Sequence, residues 1–580
     1  MQKNSWSAFL CKGNSEDGNR KPFSPFRLPA LRLLLVLSTW LYGQSTAAQD
    51  AHPNIIFIAI DDMNDWAGFL NTHPQVQTPH MDSLAAKGIN FTNAHCPAPL
   101  CGPSRSAILS GVWPTTNGVY TNEVNYRKDL SGWVSLPEHF RQNGYYVMGA
   151  GKIFHAGGNN MPQAAFDEYG GKGAASAPFA GQELSIKNQQ PFHEVTKNGK
   201  TFLLPLNGIP ADRYWSNSHT FDWGAVDLPD TLFADTQTAN WAIDKLQQQQ
   251  DKPFFLAVGF ARPHQPLFNP KRFHDRYPLS SIAMPVTIDN DLDDVPRAGR
   301  EIALAAATSG LHKSVEAYGE WEHAVSSYLA AISYVDELVG NIMQALKASR
   351  YADNTIVVLW SDHGWHLGEK EHWGKGTGWF RATRVPFIIV PSKRHSHPNF
   401  QPNIPCDRMV NLLDLAPTLA ELSNIPLRQE WEGNSLVPLI QNPAETWQAY
   451  THTTFGYGNH SITTPRWQYL HYFDGTAELY DLQLDPEEFT NLANEPKYAE
   501  IKRLLHTWLP KEPQWKHFIR YHNFKALVPA DGSPLRLYNL AYQDQVNEQQ
   551  DVATAYPQVV AKIEGWLATQ QPAGKYLWME

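Results

Sequence analysis

Polar side chains that could bind a ligand follow the most apolar segments of this 580-residue sequence. The run NIIFIAI ends at Asp61 and Asp62, and the run NTIVVLW is closely followed by Asp362 and His363. Continuous runs rich in β-branched residues are typical of strands buried on both faces of a parallel sheet. Because ligands bind beyond the carboxyl ends of such strands, we expect the two pairs to face one site. The alternative for paired aspartates after a strand is a solvated turn or a helix cap.

A short segment that begins with a cysteine is the second candidate for chemistry. It reads CGPSR from Cys101 to Arg105, and an apolar stretch and Gly111 follow it. A free cysteine is most often a small buried hydrophobic residue. The sequence has four cysteines, which is too few for a disulfide scaffold. Because Cys11 lies in the N-terminal leader, three would remain after export, and an odd number leaves one thiol with a separate fate.

The elements that must position these residues alternate between strands and helices. Two more apolar runs of strand length occupy residues 254–260 and 384–390. Helical periodicity separates the runs, at residues 136–143, 230–249, 321–349 and 412–422. This alternation predicts an α/β fold with a largely parallel central sheet flanked by helices. Residues 157–225, rich in glycine, alanine, proline and asparagine, show little periodicity, so we predict long loops over the active-site face there.

The composition excludes several classes of protein. Hydrophobic residues make up 42% of the chain and charged residues 18%, which is enough apolar material for a packed core and excludes a disordered chain. The net charge of −10 makes the chain a poor candidate for nucleic-acid binding. It does not exclude an anionic substrate, because a basic pocket can lie inside an acidic protein.

Residues 1–49 have the features of an export signal. Arg27 and Arg32 precede an apolar run of about ten residues, and the small residues STAA follow it. The run is too short to cross a bilayer, and no other segment resembles a membrane span. A non-cleaved anchor is the alternative. We predict a protein that is exported to the periplasm or secreted, without stable membrane insertion.

The mature chain is predicted to divide near residue 441. Residues 50–440 hold the alternating strands and helices, whereas residues 441–580 carry short strands and turns. In the second part, LYDL at Leu479 recurs as LYNL at Leu537, 58 residues later, and each copy precedes an amphipathic segment ending in Trp-Leu. Two copies do not make a solenoid, and chance resemblance is the alternative. We predict a smaller C-terminal α+β subdomain built on a duplicated strand–helix unit.

The segment from Cys101 to Arg105 resembles the signature of the type I, formylglycine-dependent sulfatases. The resemblance extends from about residue 54 to residue 509, and the iduronate-2-sulfatase branch is the most similar. Three further stretches carry it: GKIFH at 151–155, RPH at 262–264, and SDHGW at 361–365 running on to WGK at 373–375. The resemblance implies an alkaline-phosphatase-like sulfatase fold, with residues 50–440 as the catalytic domain, and hydrolysis of sulfate esters.

The same resemblance implies catalytic roles. A formylglycine-generating enzyme would oxidise Cys101 to formylglycine (3-oxoalanine), and the hydrate of that aldehyde would be the nucleophile. His155 would remove the proton of the second hydroxyl, and His264 would protonate the leaving sugar oxygen. Arg105 would place positive charge near the ester oxygens and the formylglycine oxygen.

Four further residues are predicted to contact the substrate: Lys152, Lys375, Trp365 and Arg381. Lys152 and Lys375 match family positions that surround the sulfate group. Trp365 and Trp373 flank the metal-binding turn, where they either stack on a sugar ring or pack the loop. Arg381 is a candidate to receive a uronate carboxylate.

The resemblance also implies a divalent metal ion held by Asp61, Asp62, Asp362, His363 and the residue at position 101. Three carboxylates suit a hard cation, and calcium is the metal of this family. Most sulfatases have asparagine where this chain has His363, although the iduronate-2-sulfatase branch shares the histidine. Because imidazole is a poor calcium ligand, zinc and manganese are the alternatives.

The predicted substrate is a sulfated polysaccharide or its oligosaccharides. The branch indicates a 2-O-sulfated uronate such as iduronate, from a glycosaminoglycan or from an algal polysaccharide such as ulvan. One alternative is a phosphoester or phosphonate hydrolase of the same superfamily. Another is a catalytically silent sugar-binding homologue, against which the retention of the complete residue set argues.

Overall fold

The protein is described here by a computed structural model. It describes residues 52–122, 124–130, 132–155, 161–162, 165–171, 177–179, 192–210, 220–305, 310–511, 515–521, 524–529, 534–539, 553–570 and 576–579. The predicted leader, residues 1–49, and Cys11 within it lie outside the described residues. In the described chain, none of the helices combines the length and the apolar composition needed to cross a bilayer. The three cysteines described there, at positions 96, 101 and 406, are free thiols.

A seven-stranded sheet carries the apolar runs. Its strands are β1 (Asn54–Asp61), β2 (Ile89–Asn90), β3 (Tyr146–Gly151), β4 (Glu168–Gly170), β5 (Phe254–Pro263), β6 (Thr355–Ser361) and β7 (Phe387–Val390). The order across the sheet is β2-β7-β6-β1-β5-β3-β4. The strands from β6 to β4 run parallel, while β7 and β2 pair antiparallel at one edge. The predicted α/β fold with a largely parallel sheet is confirmed.

Helices cover both faces of this sheet. The main ones are α1 (Cys101–Ser110), α2 (Leu136–Gln142), α3 (Ala234–Gln247), α4 (Trp321–Ala348) and α5 (Leu415–Leu422). Alternate residues of β1 point to opposite faces: Ile56 and Ile58 pack with α3 and α4, whereas Ile55 and Phe57 pack with α1, α2 and α5. Shorter helices are Pro79–Ala85, Pro114–Asn117, Tyr126–Asp129, Lys271–His274, Arg297–Ala303, His312–Ala317, Phe380–Thr383 and Val437–Gln441.

Part of the predicted loop region forms regular structure, so that prediction was wrong in part. His193–Lys197 and Lys200–Leu204 form an antiparallel hairpin. Asn198 and Gly199 link them with φ values of 50° and 77°, the conformation of a tight hairpin turn. The dipeptide Asn-Gly between alternating residues was the sequence signal for this hairpin. Other two-stranded pairs join Ala94–His95 to Val410–Asn411, Trp223–Val226 to Leu267–Pro270, and His366–Leu367 to Trp373–Gly374.

Two mostly antiparallel sheets follow the central sheet in the chain. The first has strands β8 (Thr451–Thr454), β9 (His460–Thr463), β10 (Trp467–His471) and β11 (Ala477–Asp481), and helix α6 (Ala499–His506) follows it. The second has β12 (Trp515–Tyr521), β13 (Phe524–Pro529), β14 (Arg536–Asn539) and β15 (Tyr576–Met579), with α7 (Pro557–Gln570) before the last strand. The orders are β8-β9-β10-β11 and β14-β13-β12-β15.

The sequence repeat coincides with these two units. Each has three consecutive antiparallel strands, then a helix. Leu479, Tyr498 and Trp508 lie in one apolar cluster, and their counterparts 58 residues later lie together in the other. We therefore propose a duplication of a three-strand-and-helix unit. The chain from Gln49 to Glu580 is one compact unit, and the domain boundary near residue 441 stays a prediction.

The close approach of β3 and β5 generates a test of the sheet. A Cβ atom on Gly259 would lie 2.1 Å from the carbonyl oxygen of Lys152, a backbone atom that cannot rotate away. We expect Gly259→Ala to lower the free energy of unfolding by about 3 kcal/mol, the upper part of the range for overpacking. Urea unfolding measures this change.

Gly565→Ala in α7 is the matched control. Nothing lies within 4 Å of the new Cβ atom there, so the substitution should stabilise the protein by about 0.5–1 kcal/mol through helix propensity. If Gly259→Ala were as stable as the parent protein, the β3–β5 geometry would be contradicted.

Candidate active site

Four potential ligands meet where β1 and β6 end. Asp61 is the last residue of β1 and Asp62 follows it, while Asp362 and His363 follow β6, the neighbouring strand. All four side chains are completely buried. The backbone amide of Asp62 donates to Asp362 Oδ1 at 3.1 Å, which ties the two strand ends together. The structure thus brings together the two pairs singled out in the sequence.

Cys101 is the first residue of α1 and lies against these strand ends. Its Sγ atom is 3.0 Å from Lys375 Nζ, 3.3 Å from His363 Nε2, and 3.6 Å from both Asp62 Oδ1 and Lys152 Nζ. Burial raises the pKa of the thiol, but the nearby positive charges outweigh burial and bring the pKa to about 7. A group at position 101 is therefore surrounded by positive charge.

Arg105, one turn into α1, joins the two acidic strand ends. It donates from Nη2 to Asp61 Oδ1 at 3.0 Å and from Nε to Asp362 Oδ2 at 2.8 Å. Its Nη1 donates to two backbone carbonyl groups just after β3. Four of its five N–H groups are thus engaged within the described chain. The expected contact with substrate oxygens is correspondingly limited, because this side chain mainly orients the carboxylates.

Two lysines face the remaining carboxylate oxygens. Lys152 Nζ pairs with Asp61 Oδ2, and Lys375 Nζ lies 2.6 Å and 2.8 Å from the two oxygens of Asp62. Burial raises the pKa of Asp61, but Lys152 and Arg105 hold it well below its usual value. Burial raises the pKa of Asp62 to about 8, because Lys375 offsets only part of this effect. The cost of burial is therefore offset less completely at Asp62 than at Asp61.

This donor set fits a divalent cation. Two groups of side chains each have ligand atoms within 4.8 Å of one another: Asp61, Asp62, Cys101 and His264, and Cys101, Asp362 and His363. His363 Nδ1 lies 3.0 Å from the carbonyl oxygen of Gly364, so Nε2 is the nitrogen that faces the carboxylates. Burial lowers the pKa of His363, but Asp362 and Cys101 raise it to about 9.

Two other imidazoles border the cluster. His264 Nδ1 lies 2.5 Å from the carbonyl oxygen of the next residue, and its Nε2 is 3.9 Å from Asp62 Oδ2. His155 donates its backbone amide to Tyr126 Oη at 3.4 Å, and its buried Nδ1 has no hydrogen-bond partner among the described residues. Burial and Lys152 lower the pKa of His155 to about 3 and that of His264 well below its usual value. Both shifts favour the neutral form of the ring.

The two tryptophans expected near a sugar ring pack inside the protein. Trp365 is 1% exposed. Lys375 Nζ lies over its ring, 5.4 Å from the ring centroid, so the indole packs against the lysine. Trp373 is also 1% exposed and packs against Trp223, with ring centroids 5.5 Å apart. A sugar cannot stack on rings with so little exposed surface, so of the two alternatives the structure favours loop packing.

Arg381 is engaged by carboxylates of the protein itself. Its guanidinium pairs with Asp65, and its Nε lies 3.0 Å from Glu369 Oε1. Burial lowers the pKa of Arg381, but these carboxylates raise it above its usual value. A substrate carboxylate would have to displace them, so the geometry does not support the expected uronate contact.

Several residues that the sequence analysis did not single out hold the site in place. Asn122 Oδ1 accepts a hydrogen bond from a backbone amide in the first turn of α1 at 2.8 Å. His366 Nε2 lies 2.9 Å from Thr377 Oγ1, and His372 Nε2 lies 3.1 Å from the carbonyl oxygen of Lys375. The density of histidines after β6 was the one signal available for the last two.

Comparison with known proteins identifies the family. The family described as sulfatase matches residues 53–425, and the C-terminal family of N-sulphoglucosamine sulphohydrolase matches residues 368–514. A phosphonate monoester hydrolase structure from Agrobacterium radiobacter is similar with a TM-score of 0.60 and 21% identity, covering 78% of this chain and 94% of that one. At this identity the likeness shows the fold alone.

Two relatives have higher sequence identity. A protein described as a sulfatase, from Formosa agariphila, is 39% identical over 466 residues, 79% of this chain and 86% of that protein. Iduronate 2-sulfatase from Mus musculus is 30% identical over 414 residues, 66% of this chain and 71% of that protein. With the family match over residues 53–425, these relatives show that the chain belongs to the type I sulfatase family and is a sulfuric ester hydrolase.

Proposed function

We propose that this sulfatase hydrolyses sulfate esters of a sulfated polysaccharide or its oligosaccharides, with residue 101 as the nucleophile. The observation that carries the proposal is the buried cluster around Cys101, whose Sγ atom lies within 3.6 Å of Lys152, Lys375, His363 and Asp62. The negative charge of a sulfate ester repels hydroxide. A fixed nucleophile among positive charges removes that barrier and divides the reaction into two easier steps.

The thiol of Cys101 is proposed to be the precursor of the nucleophile. Maturation by a formylglycine-generating enzyme would convert it to an aldehyde, whose hydrate carries two hydroxyl groups on one carbon. One hydroxyl oxygen attacks sulfur, and the bond from sulfur to the sugar oxygen breaks. The second hydroxyl then loses its proton, the bond from residue 101 to the sulfate oxygen breaks, and the aldehyde reforms. A thiol lacks the second hydroxyl that this release requires.

We propose that Asp61, Asp62, Asp362 and His363 hold one divalent cation, calcium by family resemblance, together with residue 101. When bound, it would supply Lewis-acid charge next to the nucleophilic oxygen and the ester oxygens. The close approach of the potential ligand atoms supports this assignment, because they lie within 4.8 Å of one another in each of two groups that share Cys101.

The two imidazoles are proposed to move the protons. His264 is proposed to protonate the leaving sugar oxygen, and the 3.9 Å distance from its Nε2 to Asp62 Oδ2 supports this role. His155 is proposed to take the proton of the second hydroxyl, since the charge of Lys152 acts on its ring and its Nδ1 is buried without a partner among the described residues. An anionic ester would offset the lysine charges that lower the pKa of His264, and so favour its protonation in the complex.

The proposed substrates are a 2-O-sulfated uronate such as iduronate, or an algal polysaccharide such as ulvan. The 30% identity to iduronate 2-sulfatase supports the first candidate. Because Trp365 is buried and Arg381 is paired with Asp65, we propose that other residues recognise the sugar. Measuring sulfate release from a panel of defined sulfated oligosaccharides tests both candidates.

A phosphoester or phosphonate hydrolase is the second candidate, because a phosphonate monoester hydrolase has the same fold. A matched set of sulfate, phosphate and phosphonate monoesters with one leaving group separates the two, and we expect kcat/KM to be highest for the sulfate. The silent sugar-binding alternative is not favoured, because the nucleophile position, both lysines and both histidines are present in one cluster.

We further propose that residues 1–49 direct export to the periplasm or the medium. N-terminal sequencing of protein recovered from each cell fraction tests this, and a chain that keeps its leader in the cytoplasm would contradict it.

The first prediction from the proposed function is that Cys101 is converted to formylglycine. The tryptic peptide of the active protein that contains residue 101 should be about 18 Da lighter than the thiol form, the difference between thiol and aldehyde. Cys101→Ser should be inactive in a host that modifies only cysteine. Cys406→Ala, which removes a buried thiol elsewhere, should stay active. Full activity with an unmodified thiol at position 101 would contradict the mechanism.

Metal dependence is the second prediction. Asp362→Asn should weaken binding of the divalent ion by more than about 10- to 100-fold, because outer-shell changes alone reach that range. Calorimetric titration of stripped protein with Ca²⁺, Mn²⁺ and Zn²⁺ measures the affinity and tests the consequence of His363. Asp414→Asn, a buried aspartate outside the cluster, is the control and should leave ion affinity unchanged.

The metal assignment fails if chelation followed by dialysis changes neither activity nor thermal stability.

The division of labour between the histidines is the third prediction. His264→Ala should slow hydrolysis of a sulfated sugar much more than that of an activated aryl sulfate, because the aryl leaving group needs little protonation. His155→Ala should allow the first step and trap the sulfated intermediate. Intact-protein mass spectrometry after mixing with substrate would then show a sulfate adduct on residue 101.

Equal losses on both substrates for His264→Ala, with no adduct in His155→Ala, would show that the two roles are assigned wrongly.

A further inference from the structure

The backbone around Lys375 does not by itself fix the position of this lysine. Gly374 and Gly376, on either side, have φ values of 109° and 91°, a region open to glycine and rarely adopted by other residues. Lys375 Nζ nevertheless lies 3.0 Å from Cys101 Sγ and within hydrogen-bond distance of Asp62. Contacts from other parts of the chain hold this segment. His372 Nε2 lies 3.1 Å from the carbonyl oxygen of Lys375, and the amide of Gly376 donates to the carbonyl oxygen of Pro99 at 2.9 Å.

The first C-terminal sheet supplies two such contacts. Gln468 on β10 donates from Nε2 to the carbonyl oxygen of Gly378 at 2.7 Å. Glu478 on β11 accepts a hydrogen bond from Trp379 Nε1 at 2.9 Å. The register of β10 and β11 puts these two side chains on the same face of the sheet. That face of the sheet therefore binds Gly378 and Trp379, which lie three and four residues after Lys375.

The burial of Gln468 shows that its amide has a specific task. The side chain is completely buried, and its Oε1 has no hydrogen-bond partner among the described residues. An unsatisfied buried acceptor destabilises the folded protein, and an apolar residue of similar size would avoid this cost. The amide group is useful here through its donation to Gly378.

The side chain of Glu478 on β11 also has a fixed position. Glu478 is completely buried and accepts hydrogen bonds from Tyr472 and Tyr480 as well as from Trp379. Three donors to one carboxylate lock its rotamer, so the indole of Trp379 has a rigid partner.

Packing adds to the polar contacts. A Cβ atom on Gly378 would lie 2.5 Å from a ring carbon of Phe455, the residue after β8. The sheet and the segment are therefore in direct van der Waals contact at the residue that Gln468 binds.

We propose that Gln468 is a positioning residue for Lys375: through Gly378, the C-terminal sheet sets where the lysine lies beside residue 101. The inference rests on the proposed function, in which Lys375 binds the sulfate group. It gives the C-terminal sheet a part in turnover, in addition to its part in stability.

A double-mutant cycle on the metal-loaded, mature enzyme tests this. Gln468→Leu should lower kcat/KM for an activated aryl sulfate by about 10-fold or more, because small misplacements of catalytic groups cost up to about 100-fold. In a Lys375→Ala background the same substitution should change kcat/KM by less than about twofold, since coupled residues are not additive. A purely structural effect would lower activity by the same factor in both backgrounds.

Tyr469→Phe is the matched control. Tyr469 is the next residue on β10 and points to the opposite face, where its hydroxyl lies 3.0 Å from His506 Nδ1. Removing that hydroxyl should change the unfolding midpoint while leaving kcat/KM unaltered. Unfolding midpoints of all variants separate loss of folded protein from loss of positioning.

Binding of inorganic sulfate gives a readout that needs no turnover. By calorimetry, Gln468→Leu should weaken sulfate binding about 10-fold and Tyr469→Phe should leave it unchanged. Unchanged sulfate affinity in Gln468→Leu, or equal loss of kcat/KM in both backgrounds, would overturn the inference. Full activity of Lys375→Ala would instead overturn the proposed role of the lysine itself.

Discussion

Three carboxylates are buried together at adjacent strand ends, and the surrounding elements are arranged to neutralise them. Asp61, Asp62 and Asp362 have no exposed surface. Moving such a charge out of water costs several kcal/mol, and only close opposite charges with good geometry offset the cost. One arginine and two lysines, all in direct contact with these acids, provide that offset. Removing one partner of a buried pair commonly costs about 3–5 kcal/mol.

This charge balance couples parts of the chain that are far apart in sequence. Arg105 contacts carboxylates from both β1 and β6, so α1 cannot shift relative to either strand. Lys152 follows β3, which reaches the site because Gly259 on β5 leaves room for its backbone. Lys375 belongs to a segment that forms hydrogen bonds with the first C-terminal sheet. The same contacts that neutralise the acids thereby surround residue 101 with positive charge, where an anionic ester would bind.

The sequence revealed the parts of this arrangement that have local signatures. Apolar runs defined the central strands, and the polar residues after them were found because parallel strands end at one edge. The CGPSR segment and its companions indicated the family. Burial has no local signature, so the sequence could not show that Trp365 packs in the core or that Arg381 is already paired with Asp65. The contact of Gln468 with Gly378 depends on tertiary packing, and no motif marks it.

Following an ¹⁸O label into the products tests directly whether an oxygen of residue 101 attacks sulfur. A sulfated sugar that the enzyme hydrolyses is turned over in water labelled with ¹⁸O, and both products are analysed by mass spectrometry. Attack at sulfur by an oxygen of residue 101, exchanged with water through the aldehyde, predicts label in the sulfate and none in the sugar alcohol. Label in the sugar alcohol would mean that the carbon–oxygen bond breaks, and would contradict nucleophilic attack at sulfur within this charge cluster.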